Sequence, residues 1–372
     1  MRIRFSCLVA LVFCLSAPAY AATGTVKIGV YLPMTGTASA YGQMEWAGIQ
    51  IANKIMPNVL GKKVEFYLVD TKSDKVEAAH AVDRLIKKNK VHAIIGGATS
   101  GNTLAGGPIA DKSKKPMVSP TATNPFVTQN KKYVFRVCFI DPFQGEAAAT
   151  YAYDTLGARN AAIFIDISHD YCVDLANFFA KGFLKKGGKV VEATYCQALD
   201  HDFTAQLSAI MAAKPDILYM PSNYTEIALA CKQAIKLGLN VPIISADRTQ
   251  TEELIKIGGT AVEGIIFTGH FIRERAVTDI ARKYIETYEN ETGKKASAFD
   301  ALGADAYFIL MDSIRRAKSV TGKNIRNALV STKNFKAVSG TINIDKGGDA
   351  VKSLVLLHVK DGTFRYLATY NP

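Results

Sequence analysis

The stretch Ile94 to Thr103 reads IIGGATSGNT, an apolar strand-like run that passes through two glycines into hydroxyls and then into a helix start. A turn of this kind can hold a phosphate, expose a nucleophilic serine, or receive the carboxylate of a bound small molecule. A phosphate site requires GxGxxG, or GxxxxGK followed by Ser or Thr, and neither is present. A nucleophile elbow requires GxSxG, yet Ala98 stands two residues before Ser100. The six histidines are scattered, and His169 in DISHDY is the one on a turn expected to face a cleft. A carboxylate suits the residues better. Unpaired backbone N–H groups at a helix N-terminus, with the Thr99 and Ser100 hydroxyls beside them, favour an anion, and glycines permit close approach. Ser100 in this place could equally cap its helix, so the turn alone leaves both roles open.

The same grammar extends outward from this stretch. VKIGVYL, VEFYLVD, HAIIGG, PMVSP and YVFRVCF read as strands, separated by amphipathic helices around Met44 to Ile55, Lys75 to Lys88 and Leu104 to Lys112. A second series follows: a helix over Gly145 to Thr155, AAIFI, a helix over Tyr171 to Lys185, KVVEATY, a helix over Ala205 to Met211, DILYMPS, a helix over Glu226 to Leu237, and VPIISA. Alternation of this kind predicts two α/β units, each a mainly parallel sheet with helices on both faces. Ligands gather at the carboxyl ends of such strands. Six turns there, LPMTGTASAYG, GGATSGN, SPTATNP, DISHDY, PSNYTE and SADRTQ, are expected to face a cleft between the units. Helices over Thr278 to Glu289 and Ser297 to Ala317 precede a strand-like tail, SGTINIDKGGD and SLVLLHVKDGTFRYL, so the chain is expected to cross between the units more than once.

Composition sets the remaining bounds. At 372 residues, 48% hydrophobic and 21% charged, two domains are more natural than one. Arg2 and Arg4, the apolar run Cys7 to Leu15 and Ala19-Tyr20-Ala21 read as a secretory signal peptide cleaved near Ala21. The formal charge of +12 is spread over scattered lysine doublets such as Lys62-Lys63 and Lys294-Lys295, with no basic run, which argues against a nucleic-acid partner. Cys138, Cys172, Cys196 and Cys231 remain after cleavage; their spacing fits no zinc motif, and one disulfide is expected, with Cys172 and Cys196 the favoured pair.

The set MTGTASAYGQMEWAG, IIGGATSGNT, SPTATNP, DISHDY, SNYTE, SAD and SGTINIDKGGD resembles the leucine/isoleucine/valine-binding protein family, over about residues 25 to 365. That resemblance implies the two-lobed type I periplasmic-binding-protein fold, with lobe one from residues 24–140 plus 271–352 and lobe two from residues 141–270 plus 353–372. It implies an exported, periplasmic receptor that takes a branched-chain or other small apolar amino acid by hinge closure and delivers it to the membrane permease of an ABC importer. A monomer with no cofactor, no metal and no catalysis is expected. By the same resemblance Ser100 and Thr123 hold the ligand carboxylate, the Thr121 carbonyl and the Thr123 hydroxyl take the ammonium, Asp247 supplies the acidic group, and Tyr41, Tyr171 and Tyr224 line the pocket. Family members often carry glutamate where Asp247 stands, and a lobe-one disulfide of some members is replaced here by Ser73 and Thr99. Burying a zwitterion demands donors for one end and acceptors for the other, and the turns supply both. Two rivals stay open: the same fold holding an aromatic acid, amide or urea-like solute, and a secreted hydrolase using Ser100 or Cys172. For Asp247 the plainer role is that of a surface turn residue paired with Arg248.

Overall fold

VKIGVYL is apolar at nearly every position, as a strand covered on both faces must be, and in the computed structural model it is β1 (Val26–Leu32) at the interior of a sheet. The structure describes residues 24–372, so the expected leader and its expected cleavage point near Ala21 lie outside the described residues. Next along the chain come α1 (Ser39–Ile55), β2 (Asn58–Val59), β3 (Lys62–Asp70), α2 (Lys75–Lys87), β4 (Ala93–Gly96), α3 (Ser100–Lys112), β5 (Met117–Ser119) and β6 (Val134–Arg136). The second series is α4 (Asp141–Thr150), β7 (Asn160–Asp166), α5 (Asp170–Lys185), β8 (Lys189–Cys196), α6 (Thr204–Ala212), β9 (Ile217–Tyr219), α7 (Tyr224–Leu237), β10 (Ile243–Ser245), α8 (Glu252–Gly258) and β11 (Ile266–Gly269). After α9 (Asp279–Thr292), α10 (Ala298–Ala317) and α11 (Gly322–Val330) come the short β12 (Phe335–Ala337), β13 (Gly340–Ile344) and β14 (Ala350–Val351), then β15 (Leu354–Lys360) and β16 (Thr363–Tyr370).

The first sheet runs β2-β3-β1-β4-β5-β6 and the second β16-β15-β11-β10-β9-β7-β8. Pairing is parallel from β3 to β6 and from β8 to β11; β2, β15 and β16 pair antiparallel at the edges. In each sheet the first strand of the series sits between its second and third, which places a topological switch point beside β1 and β4 and beside β7 and β9. Strand alternation divides the cores. Val30 and Leu32 face one cluster with α9 and α10 residues such as Tyr284 and Leu302, whereas Tyr31 faces Val82 and Leu85 of α2. In the second sheet Ala162 and Phe164 face α6 and α7, and Ala161 and Ile163 face α4 and α5.

Three segments join the lobes: residues 137–140 after β6, residues 270–272 after β11, and Lys352-Ser353 before β15. Phe139 of the first stacks on His270 of the second, with ring centroids 3.8 Å apart.

Several local expectations are corrected. α1, α3 and α7 begin earlier than the apolar period suggests, at Ser39, Ser100 and Tyr224. The helix expected over Gly145 to Thr155 is α4 followed by a wide π turn over Tyr151–Thr155. β11 was not anticipated. The favoured disulfide is absent: Cys172 and Cys196 are free buried thiols, as are Cys138 and Cys231. Cys172 belongs to the core on the α5 side of the second sheet and Cys196 to the core on the α6 and α7 side, so the two thiols pack in different cores.

Candidate functional site

The two glycines of IIGGATSGNT serve the turn itself. Gly96 and Gly97 have φ of 143° and 102°, and a Cβ on either would run into the Tyr31 carbonyl or the Thr103 side chain. Their role is therefore close packing within lobe one. Thr99 is the helix cap, its Oγ1 accepting the Asn102 N–H at 3.3 Å. Ser100 is thereby freed from capping; it is buried, and its Oγ accepts the Asn124 N–H at 3.4 Å.

The turn after β5 lies against it. Thr121 donates to the Ala98 carbonyl at 2.7 Å and meets the Glu45 carboxyl of α1. Burial pushes the Glu45 acid up to about 8, so at neutral pH it is protonated and donates to the Thr121 hydroxyl. Thr123 Oγ1 is fully buried and has no hydrogen-bond partner. Its carbonyl accepts the Asp141 N–H at 3.0 Å, where the chain enters lobe two. Asp141 Oδ2 is likewise buried and unpartnered; burial, reinforced by the nearby Asp247 charge, lifts this acid to about 7. The two face one another, the Thr123 hydroxyl near enough to oppose the rise in the Asp141 pKa but without a well-formed hydrogen bond. A protein interior seldom tolerates such atoms unless something else bonds them.

Lobe two presents Asp247 from the turn after β10. It is 3% exposed and not a surface residue, and its partner is not Arg248. Tyr171 donates to Oδ1 at 2.5 Å, His270 Nε2 meets Oδ2 at 3.1 Å, and the Asp247 N–H donates to Gln144 Oε1 at 3.2 Å. Burial works against the Asp247 charge, but the His270 and Tyr171 hydrogen bonds outweigh it and hold the carboxyl below its ordinary range. Burial keeps His270 neutral, its pKa lowered, so Nε2 carries the proton that Asp247 receives. The histidines are thus not all isolated. His270 follows β11, and the apolar run IIFTG ahead of it was the signal that sequence reading passed over.

Arg248 is also buried. Its guanidinium lies 4.0 Å from the centre of the Tyr171 ring and Nη1 donates to Asn223 Oδ1 at 2.8 Å. Tyr41 of lobe one donates to the Arg248 carbonyl at 3.1 Å, stacks on Phe299 at 4.6 Å and meets Tyr224 edge-on at 5.5 Å. Those three rings make an apolar wall. Asn124 bridges to Asp174 of lobe two at 2.6 Å and Lys75 to Asp170 at 2.7 Å, so the lobes stand closed on one another. Residues of five of the six expected turns line the mouth of the cleft: Ala38, Thr99, His169, Asn223 and Arg248 among them. Ser73 and Lys75, after β3, join them unanticipated. The structure thus brings Ser100, Thr121 and Thr123 together on one lobe, Tyr171 and Asp247 together on the other, and Tyr41 with Tyr224 across the gap.

Two such lobes, crossed three times and closed over buried polar turns at their switch points, match a family model described as periplasmic binding protein over residues 25–363. The chain belongs to that family. A leucine binding protein, LivK, from Thermotoga maritima MSB8 is 48% identical, with 94% of this chain and 99% of that one superposed at a TM-score of 0.92. LivJ of Streptococcus pneumoniae, a branched-chain amino acid transporter substrate binding protein solved with isoleucine, is 29% identical and superposes over 93% and 99% of the two chains at a TM-score of 0.86. The leucine-, isoleucine-, valine-, threonine-, and alanine-binding protein of Pseudomonas aeruginosa is 25% identical over 88% of each chain. This periplasmic binding protein is therefore of the ABC-transporter solute-binding type, with the type I fold, and its family places it in the periplasm.

Proposed function

We propose that the chain captures an α-amino acid with a branched or otherwise small apolar side chain and hands it, as a monomer without catalysis, to its membrane permease. The lobes that close on the ligand are residues 24–140 plus 271–352 and residues 141–270 plus 353–372, hinged at the three crossings. The observation that carries this reading is the buried pair Thr123 Oγ1 and Asp141 Oδ2, a donor and an acceptor that face one another without a well-formed hydrogen bond where the chain passes from one lobe to the other. The Ser100 and Thr123 hydroxyls with the N-terminal N–H groups of α3 suit a carboxylate; the Thr121 carbonyl, Asp141 and Asp247 suit an ammonium. Tyr41, Tyr224 and Phe299 offer the side chain an apolar wall. Names of the relatives point the same way. Because only the closed state touches the ligand from both lobes, binding favours closure.

A thermal-shift screen of the twenty amino acids against the mature chain is the test. A ligand at 100 times its dissociation constant adds about 2.7 kcal/mol to the stability. No shift with any amino acid, together with a shift from a benzoate-type acid, would replace the ligand class. One observation favours that second reading: both Asp247 oxygens already have protein partners.

A further inference from the structure

Asp166, His169 and Cys172 form a cluster that the amino-acid site does not use. Asp166 ends β7, His169 precedes the first turn of α5 and Cys172 lies within that turn, so a strand end and a helix start gather an oxygen, a nitrogen and a sulfur. One donor atom from each lies within 4.8 Å of the others. Asp166 and Cys172 are fully buried, while His169 reaches the mouth of the cleft. Asp166 Oδ1 accepts the Ser168 N–H at 2.9 Å, which orients the carboxylate and leaves Oδ2 against His169 Nδ1 at 2.7 Å. A separate observation comes from α7. Glu226, in its first turn, keeps Oε2 buried and without a hydrogen-bond partner, while Oε1 accepts the Leu199 N–H at 3.3 Å. It lies near enough for the charges of Asp166 and His169 to act on its carboxyl.

We propose that Asp166 Oδ2, His169 Nδ1 and Cys172 Sγ bind one divalent transition-metal cation of the zinc type, with a water molecule as fourth ligand. Hard cations such as calcium and magnesium take oxygen ligands, whereas a mixed imidazole, thiolate and carboxylate set selects zinc and its neighbours. Metal–ligand bonds of about 2.0–2.3 Å set neighbouring ligand atoms roughly 3–4 Å apart. The present set, spread from 2.7 Å to at most 4.8 Å, reaches that geometry by side-chain shifts of about an ångström. On binding, the Cys172 S–H bond is replaced by a sulfur–metal bond and its proton passes to solvent. The Asp166 carboxylate and the Cys172 thiolate then balance the two charges of the cation. His169, whose Nδ1 proton now meets the Asp166 carboxylate, loses that proton to solvent, carries its ring proton on Nε2 instead, and binds through bare Nδ1. The occupied site pins the turn that carries Tyr171, the residue that donates to Asp247.

The test is a cobalt(II) titration of the metal-stripped mature chain in the absence of amino acid, so that its failure leaves the amino-acid reading intact. Cobalt reports thiolate ligation by a near-ultraviolet charge-transfer band. One equivalent per chain with that band is expected; Cys172→Ser abolishes the band, His169→Ala weakens binding about tenfold or more, and zinc displaces the cobalt. A folded parent that shows no band, or a band that survives in Cys172→Ser, overturns the proposal. Should Cys172→Ser fail to fold, His169→Ala decides alone, and equal binding by parent and variant overturns it.

Discussion

His270 donates from Nε2 to Asp247 Oδ2 at 3.1 Å while its ring stacks on Phe139 at 3.8 Å. One side chain thus joins the turn after β10 to two of the three segments that cross between the lobes. Hydrogen bonding from this residue of the second crossing helps hold the Asp247 carboxyl ionised. Removing the charge without changing the shape is the direct probe. Asp247→Asn is expected to weaken amino-acid binding at least tenfold, about 1.4 kcal/mol. Calorimetry with the amino acid and with its deaminated analogue measures it; equal affinity of parent and variant ends the ammonium role of Asp247.

Tyr41→Phe deletes the hydroxyl that reaches the Arg248 carbonyl and keeps the ring against Phe299 and Tyr224. Loss of a single neutral hydrogen bond across the gap corresponds to about 0.5–1.5 kcal/mol. Since that bond exists only when the lobes are closed, the loss is expected in ligand affinity and not in the unfolding of the ligand-free chain. A lowered melting temperature without ligand, at unchanged affinity, would show that the hydroxyl stabilises the fold instead.

Ser100→Ala removes a buried hydroxyl that no longer has a capping duty. Binding is expected to weaken by about 1–3 kcal/mol, the usual cost of losing a hydrogen bond to a charged group. A fluorophosphonate probe is expected to leave Ser100 unlabelled. A stoichiometric adduct at Ser100 would revive the hydrolase.

Glu45 gives a pH signature. Burial raises its pKa from 4.5 to about 8, so between those values the folded chain binds more protons than the unfolded one, and stability falls as pH rises through that window. Glu45→Gln lacks this slope. Parent and variant melted at pH 5 and pH 8 should therefore differ in favour of the variant at the higher pH; a difference that does not change with pH contradicts a protonated Glu45.

The four cysteines among the described residues are free and buried. Alkylation in denaturant without reductant is expected to label Cys138, Cys172, Cys196 and Cys231 alike. A peptide map that shows Cys172 joined to Cys196 would restore the pairing that the cysteine spacing suggested.

Much of the fold was written in local pattern. Apolar runs such as VKIGVYL and AAIFI, punctuated by glycine and hydroxyl turns, specify buried parallel strands and the helices between them, because a strand covered on both faces can carry little else. The position of Ser100, Thr121, Thr123, Tyr171 and Asp247 at strand ends follows from the same pattern. Chain neighbours could not reveal partners that lie far along the sequence. Asp247 meets Tyr171 and His270, Glu45 meets Thr121, and Asp141 meets Thr123 only once the two sheets have formed and three crossings have set them face to face. Gly96 and Gly97 looked like an approach for a ligand, and the tertiary structure gave them to Tyr31 and Thr103. Cys172 and Cys196 looked like a pair, and the two thiols pack into different cores. Periodicity is a property of adjacent residues and survives in the sequence; burial, charge state and hydrogen-bond partnership are properties of the closed lobes, where low dielectric and enforced proximity decide them.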